Sequence, residues 1–275
     1  MMRVLAPRSL DEALRLRAAE DAVPMAGGTD LLVHWPVRPE TRERTYLDLW
    51  GLAELAGMRW RDGWLELGAL ATYWDVIRDR RADRELPILA EAARQVGAIQ
   101  IQARGTWGGN IANASPAADG VPVLMACDAT VVLSSLRGER EVPLEAFYLG
   151  YKEMDLAPDE LVTAIRIPRL SRAVQRFVKV GSRRAQAIAK VGLALALSDA
   201  GWRCVAASVA PTVRRCPAIE AKLEEGWRPG SPDELIPAIR ADVAPIDDLR
   251  STAVYRERTM ARVLFHAWPD GGGRA

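Results

Sequence analysis

Two pairs of adjacent glycines are the residues whose type and spacing best suit the binding of a ligand. Gly27-Gly28 precedes Thr29 and Asp30, and Gly108-Gly109 precedes Asn110. Glycine adopts positive φ at no steric cost, so successive backbone N–H groups can point into one concavity and bind an anionic oxygen. A single isolated pair is more often an ordinary tight turn. The two pairs together predict one long ligand that is anchored twice, such as a molecule that contains a pyrophosphate.

Other sources of chemistry are scarce in this sequence. Neither glycine pair fits the G-x-G-x-x-G fingerprint and no G-x-x-x-x-G-K-[ST] segment exists, which disfavours the Rossmann and P-loop modes. Two histidines rule out most schemes that need a histidine base or a Ser/His/Asp triad. The three cysteines, Cys127, Cys204 and Cys216, lack the spacing of a zinc or iron–sulfur site. We therefore assign no catalytic or metal-binding residue, and we expect a bound cofactor to supply the chemistry.

The composition limits the partners and the compartment. The chain has 275 residues, of which 49% are hydrophobic, and it is long enough for two domains. With 37 basic and 36 acidic side chains, it has no overall field that would hold nucleic acid or an anionic membrane. We find no signal-peptide core and no apolar stretch near the roughly 18 residues of a membrane span. These features, with so few cysteines, predict a reduced cytoplasmic protein.

Caps, turn residues and hydrophobic spacing predict the elements that position the glycine pairs. Ser9 and Glu12 form a capping box, Asp62-Gly63 is a hairpin turn, and Gly97 suits a helix C-terminus. The predicted elements are a helix over 10–20, strands into Met25 and over 45–49, a hairpin of 58–61 and 64–67, a helix over 85–96, a loop over 102–119, and strands over 129–135 and 161–167. The second glycine pair thus lies in a loop that follows a helix.

The last hundred residues have a different pattern. Large apolar residues at 191, 193, 195 and 197 alternate with glycine and alanine, and this period of two predicts a strand in spite of the alanine content. A second strand over 202–209 and helices over 217–225, 231–241 and 250–268 follow, which predicts an antiparallel sheet with helices on one side. We expect an α+β protein with domains at 1–168 (subdomains of about 1–50 and 51–168) and 169–268, and a disordered tail at 269–275.

The motifs carry a resemblance that covers nearly the whole chain. Ala26-Gly27-Gly28-Thr29-Asp30-Leu31 and the segment from Arg104 to Asp119 resemble the two flavin-binding signatures of the FAD-binding medium subunit of molybdenum hydroxylases, the xanthine dehydrogenase and carbon monoxide dehydrogenase family. The resemblance implies a vanillyl-alcohol-oxidase (PCMH-type) FAD-binding domain followed by a smaller α+β domain. It implies these cofactor-binding residues: Met25, Ala26, Gly27, Gly28, Thr29, Asp30, Leu31, Thr106, Trp107, Gly108, Gly109, Asn110, Asp119 and Lys179.

Two of these assignments compete with simpler interpretations, and a third departs from the family pattern. Asp119 begins a predicted helix and could stabilise that helix end instead of contacting the cofactor. Lys179 could be an exposed lysine of a sheet. Trp107 departs from the family pattern, which has a smaller aliphatic residue at that place.

The resemblance also implies a function. The chain would carry noncovalent FAD, receive electrons from a small subunit with 2Fe-2S clusters, and pass them to NAD+ or another acceptor. A large subunit would hold the molybdopterin cofactor, and the complex would be a dimer of heterotrimers. Two alternatives stay open: a free-standing FAD-dependent reductase or oxidase of the same fold, and a noncatalytic nucleotide-binding module.

Overall fold

A small parallel sheet forms the beginning of the chain. The computed structural model describes residues 3–34 and 44–268. The first elements are β1 (Arg3–Leu5), α1 (Leu10–Ala19), β2 (Ala22–Met25) and β3 (Thr45–Asp48), and the strand order is β1-β3-β2. The Ser9 hydroxyl accepts a hydrogen bond from the Glu12 amide (3.2 Å), as the predicted cap requires. The predicted helix and the strand into Met25 are confirmed, and β2 delivers the chain directly to the first glycine pair.

A five-stranded antiparallel sheet follows, in the order β4-β5-β10-β6-β7. Its strands are β4 (Met58–Trp60), β5 (Trp64–Gly68), β6 (Thr130–Ser135), β7 (Gly138–Pro143) and β10 (Leu161–Pro168), and a separate hairpin consists of β8 (Tyr148–Gly150) and β9 (Glu153–Met154). The helices of this region are α2 (Tyr73–Arg78), α3 (Arg80–Glu85), α4 (Pro87–Gln95), α5 (Ile99–Gln102), α6 (Trp107–Ala112), α7 (Gly120–Ala126) and α8 (Leu144–Phe147). The predicted hairpin around Asp62-Gly63 is confirmed.

The helix predicted over 85–96 exists with a later start. Pro87 occupies its first position, where the missing N–H costs nothing, and Gly97 follows its end with φ +50°. The predicted loop over 102–119 is partly wrong, because α6 lies within it.

The last part of the chain forms a second antiparallel sheet, in the order β11-β12-β13-β14. Its elements are β11 (Arg172–Val180), β12 (Val191–Ser198), β13 (Gly201–Ala207), β14 (Arg214–Arg215), α9 (Pro217–Glu224), a 3-10 turn (Pro232–Leu235), α10 (Ile236–Asp242) and α11 (Ala253–Ala267). The strand that the alternating residues predict is therefore confirmed. The tail predicted at 269–275 lies outside the described residues.

The two faces of β12 explain the alternation. Leu193 and Leu195 pack in a cluster with α9, α10 and α11, whereas Ala194 and Ala196 join the core of the preceding part of the chain. On that second face β12 contacts α7, and β11 contacts α4. The three predicted helices thus lie on one side of the sheet, and α4 and α7 from the preceding part of the chain cover the other side, where the small alanines allow α7 to approach closely. The α+β fold class is confirmed.

The division of the chain at residue 168 stays a prediction. Phe177, Ala194 and Val205 share one buried cluster with residues of the first 168 positions, such as Leu89 and Val121. Within the described residues, no helix has the length and the hydrophobicity to cross a membrane.

Candidate cofactor site

The first glycine pair needs glycine at both positions, for different reasons. Gly28 has φ +73°, which favours glycine as predicted. Gly27 is buried and lies against backbone, since a Cβ there would be 1.7 Å from the carbonyl oxygen of Arg104. Within residues 3–34 and 44–268, the amides of Gly27, Gly28 and Thr29 donate to no protein acceptor. The first glycine segment, residues 25–31, therefore offers free N–H donors to an anion.

The second glycine pair has a different geometry from the predicted nest. Gly108 and Gly109 lie in the first turn of α6 and have no positive φ. Their amides are used within the chain: Gly108 N donates to Ala69 O (3.2 Å), and Gly109 N donates to the Thr106 hydroxyl that caps the helix (3.0 Å). The prediction of a second backbone nest is therefore wrong.

Close packing is what requires glycine at these two positions. A Cβ on Gly108 would lie 2.6 Å from Ala69 O, and one on Gly109 would lie 2.8 Å from the Thr106 hydroxyl. Helix α6 is thereby held tightly against the end of β5. From this segment a ligand would meet side chains, above all that of Asn110.

The two glycine segments, residues 25–31 and residues 106–113, are neighbours in space. A Cβ on Gly109 would lie 4.0 Å from Cβ of Ala26. Asn113 Nδ2 donates to Asp30 Oδ1 (3.0 Å), and Lys152 Nζ donates to Asn113 Oδ1 (2.9 Å). Asn113 and Lys152 are therefore further candidate residues of the site, which the sequence analysis missed. The signal for Asn113 was its place three residues after Asn110, which brings both amides to neighbouring positions of one helical turn.

Asp119 and Lys179 form a nearly buried ion pair. Their side chains are 12% and 7% exposed, and Lys179 Nζ lies 2.6 Å from Asp119 Oδ2. Lys179 Nζ also donates to Gln95 O at the end of α4 (2.9 Å). The simpler interpretation of Lys179 is wrong, because its side chain is not exposed. Asp119 directly precedes α7, as predicted, and its side chain makes no hydrogen bond to that helix. Burial raises the pKa of Asp119 to about 6, although Lys179 acts in the opposite direction.

Two buried acceptors at this site have no partner within the described residues: Asn110 Oδ1 and Asp119 Oδ1. Buried polar atoms are nearly always satisfied, so unpaired acceptors suit a ligand with hydroxyl or ring N–H donors. Trp107 is fully buried, and its ring packs against Tyr73 at 4.9 Å. Its Nε1 is a buried donor that also has no partner within the described residues.

The remaining predicted residues line the first segment. Met25 ends β2, Ala26 is half-buried, and Leu31 opens a 3-10 turn (Leu31–His34). Within residues 3–34 and 44–268 there is no group of three or more histidine, cysteine, aspartate or glutamate side chains arranged to hold a metal ion. The site thus combines free amides, two unpaired acceptors and one ion pair, which is a set for binding a polar cofactor.

Comparisons with known proteins identify the class of this site. A family described as the FAD-binding domain in molybdopterin dehydrogenase matches residues 1–170, and one described as the CO dehydrogenase flavoprotein C-terminal domain matches residues 176–270. The chain is similar to the nicotinate dehydrogenase FAD-subunit of Eubacterium barkeri, with 31% identity over 96% of this chain and 94% of that one. It is also similar to the carbon monoxide dehydrogenase medium chain of Afipia carboxidovorans, with 32% identity over 98% and 96%.

Solved structures show the same architecture. Carbon monoxide dehydrogenase from Hydrogenophaga pseudoflava superposes with a TM-score of 0.87 at 29% identity, and the match covers 96% of this chain and 94% of that one. Reconstituted CO dehydrogenase from Oligotropha carboxidovorans gives a TM-score of 0.88 at 26% identity, covering 100% and 99%. The chain belongs to the FAD-binding medium-subunit family of the molybdenum hydroxylases. It is an oxidoreductase subunit with an FAD-binding domain, as the sequence motifs predicted.

Proposed function

We propose that this chain carries FAD as the electron-transfer subunit of a three-component molybdenum hydroxylase. A small partner subunit with 2Fe-2S clusters would deliver electrons, and this chain would pass them to NAD+ or another acceptor. A large partner subunit would hold the molybdopterin cofactor and oxidise the organic substrate, in a dimer of heterotrimers. The observation that carries the proposal is the contact between the two glycine segments, with free amides on one and an unpaired Asn110 oxygen on the other.

The residues present fit FAD. The amides of Gly27, Gly28 and Thr29 would donate to the pyrophosphate. Asn110 Oδ1 and Asp119 Oδ1 would accept hydrogen bonds from hydroxyl or N–H groups of the cofactor. FAD supplies the redox chemistry when bound, and the protein supplies orientation and electrostatics.

Lys179 acts as a positioning residue in this proposal. Its ammonium group bonds both Asp119 and Gln95 O, so it fixes the carboxylate whose second oxygen is unpaired. Because Lys179 lies on β11, the second sheet takes part in shaping the site.

We propose that the FAD is bound noncovalently and that the protein is cytoplasmic. All three cysteines are free, fully buried and outside the two glycine segments, so none can form a thioether with a ligand there. Free buried thiols also suit a reducing compartment.

Native purification tests the cofactor. The purified protein should be yellow, with one FAD per chain released into the supernatant by acid precipitation. Colour that stays with the precipitate would contradict noncovalent binding, and FMN in the supernatant would contradict the pyrophosphate contacts. A colourless native protein would favour the noncatalytic nucleotide-binding module.

Co-expression tests the electron-transfer role. Alone, the protein should be reduced by NADH or dithionite and should oxidise no organic substrate. Turnover should require molybdenum and 2Fe-2S subunits that co-purify with it in a pull-down. If the isolated chain oxidises a small alcohol or a similar compound at enzymatic rates, the free-standing FAD oxidoreductase is the correct function.

A further inference from the structure

A polar cleft lies where the chain passes from β10 into β11. Its volume is about 340 Å³, and its polar lining consists of Arg84, Glu85, Arg169, Ser171, Arg172 and Gln175. None of these residues belongs to the glycine segments or to the Asp119–Lys179 pair. The cleft is therefore a separate feature that the FAD site does not explain.

The charge of the cleft is positive. Its lining includes three arginines and one carboxylate residue, Glu85. Arg81 and Arg169 already bond this carboxylate, at 2.6 Å and 3.2 Å, and the hydrogen bond from Arg81 is the main reason that the pKa of Glu85 is lowered. Arg84 is exposed, and within the described residues its side chain makes no hydrogen bond or ion pair. Its charge is available to an anion.

Two buried atoms of the lining also lack partners within the described residues: Arg172 Nε and Gln175 Oε1. The terminal nitrogens of Arg172 are occupied, for example by Cys127 O at 2.9 Å, and Gln175 Nε2 donates to Glu85 O at 3.0 Å. One donor and one acceptor are left over. An oxyanion would satisfy the donor, and a hydroxyl on the same oxyanion would satisfy the acceptor.

We propose that this cleft binds a small oxyanion that carries a hydroxyl group, the class that inorganic hydrogen phosphate represents. Arg84 and Arg172 bind its charged oxygens, and Gln175 Oε1 accepts its hydroxyl proton in a hydrogen bond. Arg84 lies on α3 and Gln175 on β11, so the ion joins the two parts of the chain that meet at this junction.

Calorimetric titration of the FAD-loaded protein tests this proposal. Inorganic phosphate at neutral pH and constant ionic strength should bind once per chain. Sulfate, which has the charge without the hydroxyl, should bind about tenfold more weakly because one hydrogen bond is lost. Arg84→Gln should weaken phosphate about tenfold by removal of a charge-assisted bond. Arg80→Gln is the matched control, since Arg80 is an exposed arginine of the same helix outside the cleft.

Each result is decisive. Saturable phosphate binding that Arg84→Gln weakens and Arg80→Gln leaves unchanged supports the proposal. Absence of saturable binding, or equal affinities of the two variants, overturns it. Equal affinities for sulfate and phosphate overturn the role of Gln175 Oε1. Flavin content, measured on the same samples, tests the FAD function separately.

Discussion

Gly27→Ala is the substitution that best tests the contact between the glycine segments. The new Cβ would lie 1.7 Å from Arg104 O, whereas real Cβ contacts are essentially never shorter than 3.0 Å. The Cβ is fixed to Cα and cannot rotate away, and the oxygen belongs to the backbone, so one segment must retreat by more than 1 Å. We expect this shift to displace the free amides that would hold a pyrophosphate.

The expected loss of FAD affinity follows from the hydrogen bonds that would be lost. Losing two charge-assisted hydrogen bonds, each of about 1.5–3 kcal/mol, raises the Kd for FAD at least about 100-fold. Overpacking of this kind also lowers the free energy of unfolding by about 1–3 kcal/mol. The affinity loss should therefore exceed what a general loss of stability would produce.

The assay compares Gly27→Ala with Gly51→Ala. A Cβ on Gly51 meets nothing within 4 Å, so this variant controls for the glycine change itself. Apoprotein of each variant is titrated with FAD by flavin fluorescence, and thermal unfolding is followed without FAD. If Gly27→Ala binds FAD as tightly as Gly51→Ala, the first segment does not hold the pyrophosphate and the site is assigned wrongly.

Substitutions at three further positions test other parts of the site. Gly28→Val should abolish FAD retention, because a β-branched residue resists φ +73°, and flavin absorbance of the purified variant will show it. Thr106→Val should lower the free energy of unfolding by about 1 kcal/mol through loss of the α6 cap, and Thr106→Ser should restore it in urea denaturation. Asp119→Asn should change the pH dependence of stability. The pKa of Asp119 is raised to about 6 from 3.8, so its contribution to the stability of the apoprotein is present below about pH 4 and is lost as pH rises through 6. The free energy of unfolding of the parent, relative to Asp119→Asn, should thus fall by about 2 kcal/mol from pH 4 to pH 7, and a flat difference would contradict the burial of this carboxyl.

Local pattern predicts most of the elements and fails where distant segments decide the conformation. The alternating residues of β12 predicted that strand, and Asp62-Gly63 predicted the hairpin. Both predictions were correct because each conformation depends on neighbours in sequence. The conformation of Gly108-Gly109 was not predictable, since glycine disfavours helix and only the close approach of Ala69 explains it.

The candidate site shows the same limit. The glycine segments were found from their spacing and their resemblance to a family. Lys179 and Asp119 are 60 residues apart, and their ion pair depends on how β11 packs beside α4. The contact of Gly27 with Arg104 O likewise depends on tertiary structure, so sequence alone suggested a turn where the fold has a packed junction.

The burial of α7 has a consequence for synthesis of the chain on the ribosome. All seven of its residues are buried, and part of their cover comes from β12 and β13. Those strands leave the ribosome some 70 to 80 residues after α7, which at about 5–20 residues per second takes several seconds. Throughout that interval the nascent chain exposes an apolar helix with no partner strand. A nascent-chain chaperone should therefore bind ribosome-bound fragments that end before residue 191 more strongly than it binds the released full-length chain.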